Sequence, residues 1–196
     1  MTEYELFNTK WQKESDIHLH SEEELANLFS APDGTATEIE YLKVIYGLIN
    51  ATKPMTLLET GTWGGVGTHV MSFSSMSYGG KVHTIDINDM SQYCFGLSNV
   101  TFYKENSIDF IKRIDLIFDF AFLDSELDIR TVELELLIKS EKIRKGSIVC
   151  IHDTSRLRKD ESGSNKKFQS EFDKLRSKIS GIIELPLSRG MIICQI

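Results

Sequence analysis

The chain has 196 residues, 41% of them hydrophobic and 26% charged, which suffices for one domain with its own core and excludes a disordered or collagenous protein. With 29 acidic against 22 basic residues the formal charge is -7, and no nucleic-acid partner is expected, because such affinity comes largely from a basic face that neutralises phosphates. Cys94, Cys150 and Cys194 stand far apart without a CxxC, as reduced thiols do. No apolar run reaches the roughly 18 residues of a membrane span, and the acidic start Met1-Thr2-Glu3-Tyr4-Glu5 lacks a secretory leader's apolar stretch. The expectation is a cytoplasmic protein with no membrane partner, binding something small.

Residues 1–35 read as an N-terminal helical arm with two aromatic anchors, Phe7 and Trp11. In it Ser21-Glu22-Glu23-Glu24 forms a capping box for a short helix over 22–29, and Ala31-Pro32-Asp33-Gly34 ends it. The folded domain is expected over 36–196. Ile39, Leu42, Ile45, Tyr46 and Ile49 recur at helical spacing and predict a helix that stops near Asn50. Beyond it, short apolar runs at 55–59, 81–86, 99–103, 118–124 and 147–152 predict strands, with helices near 65–77, 89–97, 107–113, 128–143 and 165–179. The strands are continuously apolar rather than alternating, so a parallel sheet covered on both faces is predicted. The runs 181–186 and 191–196 lie too close for a crossover and must pair as an antiparallel hairpin.

In an open parallel sheet, ligands bind beyond the carboxyl ends of the strands, so the residues ending each strand matter most. The first ends in Glu59-Thr60-Gly61-Thr62-Trp63-Gly64-Gly65-Val66-Gly67, the second in Asp86, the fourth in Asp124 and the fifth in His152-Asp153-Thr154. The glycine turn lets backbone pass close to a ligand as a helix begins. One register, G-x-G-x-x-G, starts at Gly65-Val66-Gly67 and would serve an NAD(P)-dependent oxidoreductase, with Asp86 at a suitable remove but Val70 where the third glycine belongs. The other, E-x-G-x-x-x-G, uses Glu59, Gly61 and Gly65.

In this second register, read with the other strand ends, the chain resembles the class I S-adenosylmethionine-dependent methyltransferases. Leu58 to Gly65 is similar to their first motif, Thr84-Ile85-Asp86 to the acidic end of their second strand, Phe118 to Asp124 to the fourth-strand motif and Lys145 through Asp153 to the fifth. Glu184-Leu185-Pro186 with Arg189-Gly190-Met191 resembles their closing hairpin, so the likeness covers about 55–196. Within the superfamily it is nearest to the small O-methyltransferases whose fifth strand ends in His-Asp-Thr, a group that includes proteins labelled cephalosporin hydroxylase. The resemblance implies a Rossmann-like α/β fold with a seven-stranded, mostly parallel sheet and helices on both faces. It also implies methyl transfer from S-adenosylmethionine to a hydroxyl of a small-molecule acceptor.

Carried over residue by residue, the resemblance places Gly61 and Gly65 along the methionine part of the cofactor, with Thr62 in the same loop and Glu59 buttressing it. Asp86 would accept from both ribose hydroxyls, Asn106 or Ser107 would touch the adenine, and Asp124 would face both cofactor and acceptor. Relatives with a divalent metal hold it through acids that map to Asp124 and Asp153, so Mg²⁺ enters as a candidate cofactor. Two departures stand against that: Asp124-Ser125-Glu126-Leu127 lacks the histidine that often follows the fourth-strand acid, and Thr154 replaces the asparagine of catechol-type enzymes. With metal, the two acids and Mg²⁺ would lower the hydroxyl's pKa and aim it. Without it, His152 could serve as general base. The arm would build the acceptor pocket or a homodimer contact.

Plainer readings stand beside these. Asp86 could cap a helix, His152 could be a satisfied core histidine, His18-Leu19-His20 could be ordinary arm residues rather than a metal pinch, and Trp63 could simply pack on the loop. Polar, aperiodic 155–167 is a solvated loop or a lid over the acceptor. A protein that binds the cofactor without catalysis is a third functional class.

Overall fold

The structure is a computed structural model that describes residues 37–157, 163–186 and 189–196. The arm over 1–35, with its capping box, its His18 and His20 and its expected pocket or dimer role, lies outside the described residues.

Helix α1 (Ile39–Thr52) buries Tyr41, Leu42, Ile45 and Ile49, close to the predicted stripe except that Ile39 stays exposed and Tyr41 turns inward. It ends where Lys53 takes a left-handed φ of 48° and donates its N–H to Ile49 O, just before Pro54. The chain then alternates: β1 (Thr56–Thr60), α2 (Val66–Met76), β2 (Lys81–Asp86), β3 (Val100–Lys104), α3 (Ser107–Arg113), β4 (Phe118–Leu123), α4 (Leu127–Lys139), β5 (Ile143–His152), α5 (Ser164–Leu175), β6 (Gly181–Leu185) and β7 (Met191–Gln195).

Two elements differ from expectation. The helix predicted over 89–97 is only a 3-10 turn, Ser91–Cys94: Met90, Tyr93, Cys94 and Leu97 have helical spacing, but Gly96 turns the chain at a φ of 83° and Phe95 is left 92% exposed. The helix predicted over 128–143 stops at Lys139, since Glu141 adopts a φ of 56°. Ile143 instead opens β5 opposite Phe118, and the register shifts before Ile148 pairs with Phe120.

The seven strands form one sheet in the order β3-β2-β1-β4-β5-β7-β6. Strands β1 to β5 pair in parallel, and β7 lies antiparallel between β5 and β6. Alternate residues of each strand feed opposite layers: Leu57 joins the cluster with Leu42, Ile45 and Val70 from α1 and α2, and Leu58 the cluster with Phe110, Leu134 and Phe172 from α3, α4 and α5. Helices thus cover both faces, as the continuous apolar strands predict. Strand order reverses between β1 and β4, which opens a crevice at their carboxyl ends. Among the described residues no helix is long and apolar enough to cross a membrane.

Candidate active site

On one side of that crevice the glycine loop is wedged between β2 and β4: Gly61 N donates to Ile85 O at 2.8 Å and Asp124 N donates to Thr60 O at 2.9 Å. Gly61 has a φ of 87°, and a Cβ there would run into the carbonyl of Asp124. At Gly67, in the first turn of α2, a Cβ would meet the Glu59 carboxyl and the Phe122 ring. Glu59 is buried, accepting from Thr68 Oγ1 and from Thr84 Oγ1 at 2.6 Å. Thr62 and Thr84 hydroxyls lie 2.6 Å apart. Glu59 therefore ties the loop, α2 and β2 together. Burial lifts its pKa to about 8, against the hydrogen bonds from Thr68 and Thr84, so the carboxyl is largely protonated near neutrality.

At the rim, Asp86 accepts from Trp63 N at 3.0 Å through Oδ2 and from Asn88 N at 2.8 Å through Oδ1. These backbone donors fix the carboxylate without using all its lone pairs. Asn106 caps α3, its Oδ1 accepting from Ile108 N at 2.9 Å. Ser107 is buried and donates to Glu133 Oε1, while Thr60 Oγ1 donates to Glu133 Oε2 at 3.0 Å.

The other side of the crevice is a charge network. Asp124, just past β4, accepts from Thr37 Oγ1 at 2.8 Å through Oδ2, and through Oδ1 from His152 Nδ1 at 2.9 Å and Arg130 Nη2 at 3.0 Å. The second ring nitrogen of His152 donates to Glu38 Oε2 at 2.6 Å. Carboxylates only accept, so an imidazole between two of them donates through both nitrogens. Burial alone would lower His152, but the charge and hydrogen bond of Asp124, then the bond to Glu38, lift it to about 9. Burial alone would raise Asp124, and His152, Arg130 and Thr37 together hold it below the ordinary carboxylate range.

Arg130, on α4 and 3% exposed, is the hub. Its Nη1 donates to His152 O, Nη1 and Nη2 both lie 3.3 Å from Asp153 Oδ2, and Nε donates to Ser125 O at 2.7 Å. Asp153 follows β5 in the left-handed region, φ 59°, a backbone state that non-glycine residues hold only when their surroundings over-determine it. Arg189 closes the ring, its N and Nε each donating to Glu38 Oε1 at 3.1 Å and its Nε lying 3.6 Å from Asp153 Oδ1.

Both sides open into one cavity of about 510 Å³, lined by Glu59, Gly61, Thr62, Asp86, Asn106 and Ser107 on one side and by Thr37, Asp124, Arg130, Asp153 and Arg189 on the other. Residues 58–154 match the family described as a methyltransferase domain. That stretch is similar to a methyltransferase domain. The match agrees with the second register of the loop, through Glu59, Gly61 and Gly65, rather than the nicotinamide one. The fold is also that of several solved structures. An S-adenosylhomocysteine-bound methyltransferase of Podospora anserina, PaMTH1, is 13% identical with a TM-score of 0.74, the match covering all of this chain and 96% of that one. The O-methyltransferase TomG of Streptomyces achromogenes, in complex with S-adenosylmethionine, is 17% identical at 0.70 over 100% of this chain and 99% of that one. An O-methyltransferase of Bacillus cereus in complex with S-adenosylhomocysteine is 17% identical at 0.70 over 98% and 99%. No curated protein is significantly similar in sequence.

Most residues singled out from the sequence converge on one cavity, with two qualifications. Gly65 contributes conformation: at φ 76° it caps α2 beside Tyr93. His152, expected as a general base, does not line the cavity and has both ring nitrogens engaged, by Asp124 and Glu38. Sequence reasoning missed Glu38, Arg130, Glu133 and Arg189. Arg130 left a signal, for it falls on the buried stripe of α4 with Leu134 and Leu137, where a guanidinium demands anionic partners. The loop expected over 155–167 is anchored at both described ends: Ser155 Oγ donates to Pro186 O at 3.0 Å, and Asn165 Nδ2 to Ser155 O at 2.7 Å. Its centre, 158–162, lies outside the described residues.

Proposed function

We propose that the domain is an S-adenosylmethionine-dependent O-methyltransferase acting on a hydroxyl of a small molecule. One observation carries this reading: the glycine loop and Asp86 share a single cavity with the ionised cluster around Asp153. Cofactor and acceptor can therefore meet at the switch between β1 and β4. The residues fit the cofactor. Asp86 suits a vicinal diol, Gly61 and Thr62 offer close backbone approach, Asn106 lies at the adenine end, and α2 starts with no side-chain cap, leaving its first amides for an anionic group. The cofactor would supply a sulfonium-activated methyl group.

What remains for the protein is to bind, orient and take a proton. Asp124 is ionised but committed to His152, Arg130 and Thr37, so it holds geometry. Asp153 lines the cavity, and its side-chain ion pairs with Arg130 and Arg189 are longer, at 3.3 and 3.6 Å. Asp153 is the carboxylate that receives the acceptor's proton as the new O–CH₃ bond forms and the methyl–sulfur bond breaks. The magnesium-assisted and metal-free versions of this chemistry part at Arg130, which stands between the two acids.

The test is calorimetric titration with S-adenosylhomocysteine and with NAD⁺. Micromolar binding of the first, lost in Asp86→Ala, supports the reading, and binding of NAD⁺ alone would sink it. A domain that binds the sulfur ligand but turns over no hydroxyl acceptor in a broad screen would be the non-catalytic module instead.

A further inference from the structure

Asp124, His152 and Asp153 bring potential ligand atoms within 4.8 Å of one another, the grouping a divalent ion would use. The structure fills that position with protein. Arg130 bridges the two carboxylates, Nη2 lying 3.0 Å from Asp124 Oδ1 and 3.3 Å from Asp153 Oδ2. The third group, His152, is bonded to Asp124 through Nδ1 and to Glu38 through Nε2, so neither nitrogen is left to face an ion.

We propose that the Arg130 guanidinium is the resident cation of this site, standing where a divalent metal would bridge Asp124 and Asp153, and that the domain works without metal. The guanidinium does not shed its proton, so it cannot yield its charge to an incoming ion. It is fixed by carbonyls as well as acids, donating to Ser125 O and His152 O. It is 3% exposed and each of its three guanidinium nitrogens is engaged, and a second cation between the same acids would lie against it and His152. The planar fork also does what a bridging ion does, holding two carboxylates in a fixed relation.

For the acceptor, on the methyltransferase reading, the consequence is that a single hydroxyl suffices. A chelating pair of hydroxyls has no ion to chelate, and Asp153 alone, steadied by Arg130 and Arg189, aims the attacking oxygen.

Manganese is the probe, followed by the loss of its free-ion electron paramagnetic resonance signal on titration into the full chain. Wild-type protein should leave the signal unchanged. Arg130→Gln, with its fold checked by circular dichroism, should bind Mn²⁺ at least about tenfold more tightly than wild type, and adding Asp124→Asn should abolish the gain. Wild-type binding that disappears in Asp153→Asn would overturn the proposal, and so would a folded Arg130→Gln that binds no better than wild type. If Arg130→Gln does not fold, the wild-type titration alone decides. S-adenosylhomocysteine affinity measured on the same samples separates the two readings: its absence defeats the cofactor assignment and leaves the manganese result standing.

Discussion

The two walls of the cavity are built by opposite means. The wall from Glu59 to Asn106 comes from three consecutive strand ends and is held by hydroxyls, backbone amides and a carboxyl that burial keeps largely protonated. The wall around Asp153 gathers Glu38, Asp124, Arg130, His152 and Arg189 from five separate stretches and is held by full charges. Local backbone geometry shapes a ligand cradle at little electrostatic cost. A charged surface in a crevice exists only if every charge finds its complement.

The comparison breaks most sharply at Asp86. Asp86→Ala should weaken S-adenosylhomocysteine binding by at least about 100-fold, two hydrogen bonds to a carboxylate contributing about 1.5 kcal/mol each. Thermal unfolding should move little. The opposite pattern is expected of Glu38→Ala on the charged wall: about 3 kcal/mol of stability lost by leaving His152 and Arg189 without their shared carboxylate, with S-adenosylhomocysteine affinity within about threefold of wild type. A large loss of affinity there would mean that the walls are coupled.

A pH series sharpens the contrast, because both walls respond in the same direction. Glu59 has its pKa lifted to about 8 in the folded state, so the folded chain binds a proton that the unfolded chain has released. Its contribution is complete below the ordinary carboxylate range and is lost as pH rises through about 8. His152, lifted to about 9, contributes fully below the ordinary histidine value and loses its contribution as pH rises through about 9. The melting temperature should therefore drop by about 5 °C or more between roughly pH 6 and pH 9.5. Glu59→Gln should flatten the lower part of that decline and Glu38→Gln the upper part. A melting temperature that rises over this range would refute both assignments. The smallest effect is expected of Ser107→Ala, which removes one hydrogen bond to buried Glu133. It should cost about 1 kcal/mol in denaturant unfolding and change S-adenosylhomocysteine affinity less than about twofold.

The same contrast explains what could be read from the sequence. The glycine loop, Asp86, Asp124 and Asp153 were legible because each terminates an apolar run, and strand ends in a parallel sheet share one edge. Glu38 and Arg189 were not, since a glutamate ahead of a helix and an arginine in a hairpin loop look like surface residues until the chain ends come together. Arg130 was legible in principle through its place on the stripe of α4. The helix predicted over 89–97 is cut short where Gly96 turns the chain, its apolar spacing notwithstanding, and the extension of β5 back to Ile143 is hidden behind a bulge that no local pattern announces.

The placement of β7 between β5 and β6 gives the charged wall a schedule during synthesis. Of the seven strands of the sheet, the one synthesised last enters its interior, and Arg189, in the turn that leads into it, is the last of the clustered charges to emerge. Until then Glu38 and Asp153 lack one of their cations and β5 presents an open edge, so the glycine-loop wall is synthesised in full well before the charged wall. A ribosome stalled ahead of β6 would hold a protein with a formed glycine loop and a charged wall not yet closed, a species that chaperones and proteases can tell from the finished domain.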